Sequence, residues 1–106
     1  MRKHKRLVVF NYFMIGFASK KVINGKLIKI LVDYHEVIRK IEISGDFFVH
    51  PEEALKEIEE FLVGLDTSMD KDNIEYKIKN FVSIRNIKLI GFNECDLAEV
   101  IKQSVT

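Results

Sequence analysis

The sequence has few of the residues on which many functional sites depend. Among its 106 residues there are one proline, no tryptophan, five glycines and a single cysteine, Cys95. One cysteine excludes an internal disulfide and a cysteine-rich zinc site, and it is typical of a reducing compartment. The longest largely apolar run, Leu7–Ala18, has twelve residues with Asn11 inside it, fewer than the roughly 18 that span a bilayer. We therefore expect a cytoplasmic protein with no contact to a membrane.

The short motifs of common enzymes are also absent. The chain contains no Gly-x-x-x-x-Gly-Lys phosphate loop, no Gly-x-Gly-x-x-Gly dinucleotide turn and no His-Glu-x-x-His zinc motif. Its three histidines, His4, His35 and His50, are far apart along the chain. The sequence therefore predicts no catalytic residue and no metal site.

The composition is that of one folded domain with an uneven distribution of charge. Hydrophobic residues make up 47% and charged residues 31%, and the net charge is +1. Residues 1–50 hold ten Lys/Arg and four Asp/Glu, whereas residues 51–106 hold seven and twelve. This balance argues against a dedicated nucleic-acid binder, but the basic half suits an acidic or phosphate-bearing partner.

The basic half has the pattern of antiparallel strands. Two β-branched runs, 27–32 and 37–43, are separated by a short polar stretch and predict a hairpin. Asn24-Gly25 is a turn dipeptide, so residues 19–23 are predicted to pair with the first of these runs. A third strand-like run, Phe47–Val49, follows a break at residues 44–46. We expect three or four antiparallel strands before residue 50.

The acidic half has the period of helices. Pro51 is predicted as the first residue of a helix that ends at Gly64. Asp72 and Glu75 resemble a capping box for a helix over 72–83, and Asn93 with Asp96 repeats the pattern for a last helix to residue 103. Residues 87–90 are either a short strand or a connector. Strands followed by helices predict an α+β fold, with about three helices on one face of the sheet.

Residues 1–18 allow three interpretations. A basic start, an apolar run and the small residues Gly16 and Ala18 resemble a signal peptide. The aromatic and β-branched content of the run suits an edge strand equally well. The segment is otherwise a simple extension of the chain. We assign it as an N-terminal extension or edge strand, and residues 19–106 as the domain.

The segment 44–48 is the most unusual local feature. An isolated glycine between strands marks a bulge or a close backbone approach, and the aspartate after it either bonds nearby amides or faces a ligand. Lysines between residues 20 and 29 alternate with apolar positions, so they form either a solvated strand face or a surface for an anionic partner. The candidate contact residues are Lys21, Lys26, Gly45, Asp46, Phe47 and Phe48.

Two alternatives from other classes remain open. Cys95 lies at the start of the last predicted helix, where it is either a small buried residue or the thiol of a sulfur acceptor. An iron-sulfur scaffold needs several thiolates, which one cysteine does not supply. A nucleic-acid binding module would use aromatic side chains of the basic half for stacking. These are Phe10, Tyr12, Phe13 and Phe17.

Several blocks together resemble a known family. They are Lys21–Ile28, Ile38–Ile43, Ser44–Phe48 running into Pro51-Glu52-Glu53-Ala54, and the later Leu62-x-Gly64 and Ile90-Gly91-x-x-x-x-Asp96-Leu97-Ala98. Over about residues 19 to 105 the chain is similar to the C-terminal accessory domain of lipoate-protein ligases, above all the archaeal form, in which this domain is a separate small protein. It departs from the pattern at Asn24, where a second glycine is common, and at His35-Glu36, where the hairpin usually has a glycine.

The resemblance implies a division of labour between two chains. The family's large domain binds lipoate and ATP through an Arg-Arg-x-x-Gly-Gly-Gly type loop and a catalytic lysine, neither of which is present here. The accessory domain is needed to activate lipoate to lipoyl-AMP, whereas transfer to a lipoyl-domain lysine proceeds without it. Its fold is related to sulfur-acceptor and iron-sulfur scaffold proteins. The related biotin ligases are not distinguished by these motifs.

The implied protein is a non-catalytic ligase subunit in a heterodimer. Its partners would be the catalytic subunit and, through the complex, a lipoyl-domain acceptor. The resemblance implies no cofactor on this chain alone, and lipoate, ATP and magnesium in the partner subunit. The acidic second half of the chain argues against nucleic acid as a partner.

Overall fold

A computed structural model describes residues 4–8, 13–22, 24 and 26–106. Gly25 of the predicted turn, and Phe10 and Tyr12 of the proposed stacking set, lie outside these residues. The described elements, in chain order, are β1 (His4–Val8), β2 (Met14–Lys21), β3 (Leu27–Tyr34), β4 (Ile38–Gly45), β5 (Phe48–His50), α1 (Ala54–Leu62), α2 (Lys71–Ile84), β6 (Lys88–Ile90) and α3 (Glu94–Ser104).

The strands form an antiparallel sheet and a separate ribbon. The sheet has the order β1-β2-β3-β4, and β5 pairs with β6 in the ribbon. Along β3, Ile28, Ile30 and Val32 are buried while the residues between them are not, as expected for a sheet with one covered face. The predicted α+β fold is therefore confirmed. β1 lies at the edge of the sheet, and the division predicted between residues 18 and 19 falls inside β2.

The helices cover one face of this sheet. α1 packs against β4, α3 packs against β2 and β3, and α2 packs on α3. The side chains of Ile58 and Leu62 on α1 are fully buried, and burial of each contributes roughly 1.5–3 kcal/mol. α3 approaches β2 closely at Gly16, where a Cβ atom would overlap the carbonyl oxygen of Ser104. The close approach explains why a glycine occupies this strand position.

Two helix starts differ from the prediction. α1 begins at Ala54 and not at Pro51, because the N–H of Ala54 donates to the Pro51 carbonyl at 2.9 Å in a turn before the helix. α2 is capped by Asp70, whose carboxylate accepts from the N–H of Asn73 at 2.9 Å, so Asp72 lies inside the helix. The capping box predicted for α3 from Asn93 and Asp96 is confirmed.

The outer edge of β4 is covered by α1 and by the chain that follows it. The Glu59 carboxylate accepts from the N–H of Ile43 at 2.8 Å. The N–H of Ile38 donates to Leu65 at 2.9 Å, and the Ile38 carbonyl accepts from Gly64 at 2.7 Å. These contacts satisfy edge groups that would otherwise be available for pairing with another chain.

Removal of the Glu59 carboxylate is expected to destabilise the fold. Glu59→Ala leaves the half-buried N–H of Ile43 without its acceptor, which costs about 1–3 kcal/mol. Glu60→Ala, at the exposed neighbouring position, is the matched control and is expected to change stability by about 0.5 kcal/mol or less. Urea unfolding of both variants measures the difference, and equal effects would show that the edge contact contributes nothing.

Candidate functional site

The segment after β4 lies against the start of β3. The N–H of Asp46 donates to the Leu27 carbonyl at 3.2 Å, and the Asp46 carboxylate accepts from the N–H of Leu27. Gly45 has a φ of +153°, and a Cβ atom there would overlap the Leu27 carbonyl oxygen. The glycine that interrupts the strand pattern therefore marks a close backbone approach, and Asp46 fixes it with its side chain.

Asp46 also lies in the field of two of the predicted lysines. Its pKa is lowered chiefly by the hydrogen bond from the Leu27 N–H, against a smaller opposing effect of desolvation, and further by the positive charges of Lys26 and Lys21. The structure thus brings three of the predicted contact residues, Lys21, Lys26 and Asp46, into one electrostatic cluster. Because Asp46 is ionised there, the cluster carries both signs of charge on one surface.

The two phenylalanines after Asp46 have different environments. Phe47 is 9% exposed and its ring packs on Phe92 with 4.4 Å between centroids. Phe48 is 68% exposed. It is directly opposite Ile90 in the β5–β6 pair, and Ile90 is 50% exposed. Side chains directly opposite in an antiparallel pair share a face, so the two form an exposed apolar pair.

We call this surface the turn face and define it by Lys21, Lys26, Asp46, Phe48 and Ile90. Sequence reasoning missed Ile90, since only its pairing with Phe48 brings it to the site. A groove of about 320 Å³ lies beside it, with Lys26, Phe92 and Asn93 among its lining residues. The turn face therefore combines an apolar pair, two cations and an adjacent groove.

Lys20 has a different role from its neighbour Lys21. Its ammonium is 2.7 Å from Glu99 Oε1 and 3.0 Å from Asp96 Oδ1, both on α3. Desolvation lowers the pKa of Lys20, but the hydrogen bonds and ion pairs with Glu99 and Asp96 outweigh it and leave that pKa above its ordinary value. Lys20 thus ties β2 to α3, while Lys21 lies on the opposite side of the strand.

Cys95 has one notable contact. It lies in the first turn of α3, is half-buried, and accepts a hydrogen bond from the Lys71 ammonium with 2.9 Å between Nζ and Sγ. Lys71 also contacts Glu75 Oε1 at 3.0 Å, and these two hydrogen bonds raise the pKa of Lys71. The sulfur therefore lies beside a cation and near the N-terminus of a helix.

Other classes of site find little support within the described ranges. No group of three or more His, Cys, Asp or Glu side chains among those residues is placed to hold a metal ion. No helix in the same part of the chain is long and apolar enough to cross a bilayer. Of the aromatic residues considered for nucleic-acid stacking, Phe13 has the Arg39 guanidinium 3.4 Å from its ring centroid, and Phe17 is half-buried.

These observations describe a small α+β chain whose distinctive surface is the turn face. No protein-family model matches the sequence, and no curated protein matches it. The fold is similar to a solved chain from Thermoplasma acidophilum, in a structure described as an archaeal lipoylation system with a bi-partite lipoate protein ligase and its E2 lipoyl domain. The TM-score is 0.61 at 22% identity, over 95% of this chain and 94% of that one. The two chains share a fold over nearly their whole lengths.

Proposed function

We propose that this chain is the accessory subunit of a bipartite lipoate-protein ligase, required with a separate catalytic subunit for ATP-dependent activation of lipoate to lipoyl-AMP. The observation that carries the proposal is the shared fold with a chain of the Thermoplasma lipoylation system, over 95% of one chain and 94% of the other. Coverage this complete on both sides means that the solved chain has nearly the same length. The sequence blocks that resemble the accessory domain point to the same role.

The chain would act as a cytoplasmic, non-catalytic half of a heterodimer. In this proposal the catalytic subunit binds lipoate, ATP and magnesium, and the adenylate is then used to modify a lysine of a lipoyl domain. The described residues of this chain contribute a folded surface rather than reacting groups. Activation consumes ATP in a step from which water must be excluded, so a second chain that closes over the pocket has a clear physical use.

The turn face is the surface that we assign to this closure. Lys21 and Lys26 would stabilise the negative charge of the nucleotide and its pyrophosphate. The exposed Phe48 would exclude water at the rim of the pocket. Asp46 would act through the backbone, by holding the start of β3 between the two lysines. Phe47 is buried against Phe92, so we keep Phe48 and not Phe47 in the proposed contact.

Reconstitution with the catalytic subunit tests the proposal. Lipoate, ATP and magnesium are supplied with a lipoyl domain, and its modification is followed by mass. We expect modification only when this chain is present. Synthetic lipoyl-AMP serves as the control, because transfer from it should occur without this chain. Modification from free lipoate at the same rate in the absence of the chain would refute the proposed role.

Charge reversal on the turn face is expected to impair activation. Lys21→Glu and Lys26→Glu each place a negative charge on the surface that we assign to the nucleotide. Asp46→Ala removes the carboxylate that accepts from the Leu27 N–H at the start of β3. We expect each to lower the rate of lipoyl-AMP formation about tenfold, the scale of a lost close charge contact. Lys77→Glu, an equal charge change on the exposed side of α2, is the control. Normal rates in variants that keep the fold would remove the turn face from the proposal.

A sulfur acceptor is the second candidate, and the contact between Lys71 and Cys95 favours it. The Cys95 thiol would attack the outer sulfur of a persulfide on a donor enzyme. The donor's S–S bond breaks, the donor cysteine leaves as a thiol, and Cys95 carries the persulfide whose outer sulfur is passed on in the same way. Cys95→Ala and alkylated protein test it in the reconstituted ligase. Full ligase activity in both would show that the ligase does not need the thiol. Persulfide formation on Cys95 with a cysteine desulfurase would support the sulfur acceptor.

A further inference from the structure

The sheet has a second face, which the described helices do not cover. Side chains of β2 and β3 alternate across the sheet, and Ala18, Ile30 and Val32 point toward the helices. The residues between them point the other way, onto what we call the open face. Its members on β2, β3 and β4 include Ile15, Phe17, Lys21, Lys29, Leu31, Asp33, Lys40 and Glu42.

The centre of the open face is apolar. Phe17 is directly opposite Leu31 in the β2–β3 pair, and Ile15 is one side-chain row away. Leu31 is 44% exposed although it lies on a central strand. A shallow cavity of about 200 Å³ lies beside it, with Ile15 in its wall. Contiguous exposed apolar side chains rimmed by polar ones mark interaction sites on soluble proteins.

The rim of the open face is positively charged. Its cations are Lys21, Lys29, Lys40 and Arg39. The Nη1 atom of Arg39 is 3.8 Å from Asp33 Oδ1. The four cations outnumber the two acids on this face, Asp33 and Glu42. The opposite side of the molecule carries the helices and most of the acidic residues. An acidic partner would therefore be attracted to the open face and repelled by the helical side.

We propose that the open face is the surface on which an acidic, apolar-centred patch of the catalytic subunit docks. This inference rests on the proposed function, which requires one lasting protein partner. An apolar centre with a charged rim is the usual anatomy of such an interface. Lys21 belongs both to the open face and to the turn face. The two surfaces therefore adjoin, and one partner can contact both. The open face supplies affinity, and the turn face acts on the pocket.

Binding and activity measurements on the same variants separate these two roles. Leu31→Asp and Lys29→Glu are each expected to weaken the complex with the catalytic subunit about tenfold or more by calorimetry. Lipoyl-AMP formation should return to the wild-type rate when the variant chain is in excess. The wild-type dissociation constant should rise with salt, because the rim is charged. Tyr76→Asp on α2, where the side chain is 64% exposed, is the control and should bind normally.

The outcomes distinguish the docking proposal from the proposed function. If the wild-type chain supports lipoyl-AMP formation and both variants bind normally, the docking proposal is wrong and the function stands. If the wild-type chain neither binds nor supports activation, both are wrong. Lys29→Glu changes only an exposed charge, so it tests the rim even if Leu31→Asp fails to fold. Self-association that Leu31→Asp abolishes, or a loss confined to lipoyl-domain binding, would also overturn the docking proposal.

Discussion

Gly45→Ala is expected to lower the free energy of unfolding by about 3 kcal/mol or more. Two effects add at this position. A φ of +153° is one that residues with a Cβ atom rarely adopt, and that atom would overlap the Leu27 carbonyl and lie 2.8 Å from the Phe47 ring. The end of β4 cannot move freely away from the start of β3, because two hydrogen bonds join Asp46 to Leu27. Thermal and urea unfolding measure the loss.

Gly64→Ala is the matched control for the steric effect. Gly64 also has a positive φ, +93°, but a Cβ atom there would meet nothing within 4 Å. Only the backbone penalty applies, and it is about 1–2 kcal/mol. A loss at Gly45 no larger than the loss at Gly64 would show that β3 and the turn do not approach as closely as described.

Phe48→Asp is expected to reduce lipoyl-AMP formation by about tenfold or more, even when the chain is in excess over the catalytic subunit. The reason is the exposed apolar pair that Phe48 forms with Ile90. An aspartate there places a second acid near Asp46 and removes the apolar contact that would exclude water. Stability should change little, because the side chain is 68% exposed.

Tyr76→Asp provides the comparison, since it removes an aromatic ring of similar exposure from the helical side. It should leave activation unchanged. A loss that is equal in both variants would point to a general effect on the fold. A Phe48→Asp chain with the wild-type rate would show that this end of the molecule does not contact the pocket.

Local patterns predicted the elements well where the stabilising contacts are local. The capping box of α3 depends on Asn93 and Asp96, three residues apart, and the β3–β4 hairpin depends on adjacent runs. The predicted cap of α2, Asp72, was wrong, because Asp70 and Asp72 are both suitable caps and spacing does not distinguish them. In the structure Asp70 makes the contact.

The candidate site was predicted only in part, because its composition depends on long-range packing. Phe48 and Ile90 are far apart in sequence and meet only through the β5–β6 pair. The sequence does not distinguish the roles of the neighbouring lysines Lys20 and Lys21. The packing of α3 on β2 gives Lys20 two acidic partners. Phe47 and Phe48 likewise have different environments, because Phe47 packs on Phe92 in the core whereas Phe48 is exposed.

Lipoate-dependent release of pyrophosphate from ATP is the most direct test of whether this chain is required for the activation of lipoate. The catalytic subunit is titrated with this chain in the absence of any lipoyl domain, so that activation is measured alone. We expect almost no release of pyrophosphate by either chain separately, and release that rises and saturates as this chain is added. Release that is independent of this chain, or absent at every ratio of the two chains, would contradict this expectation.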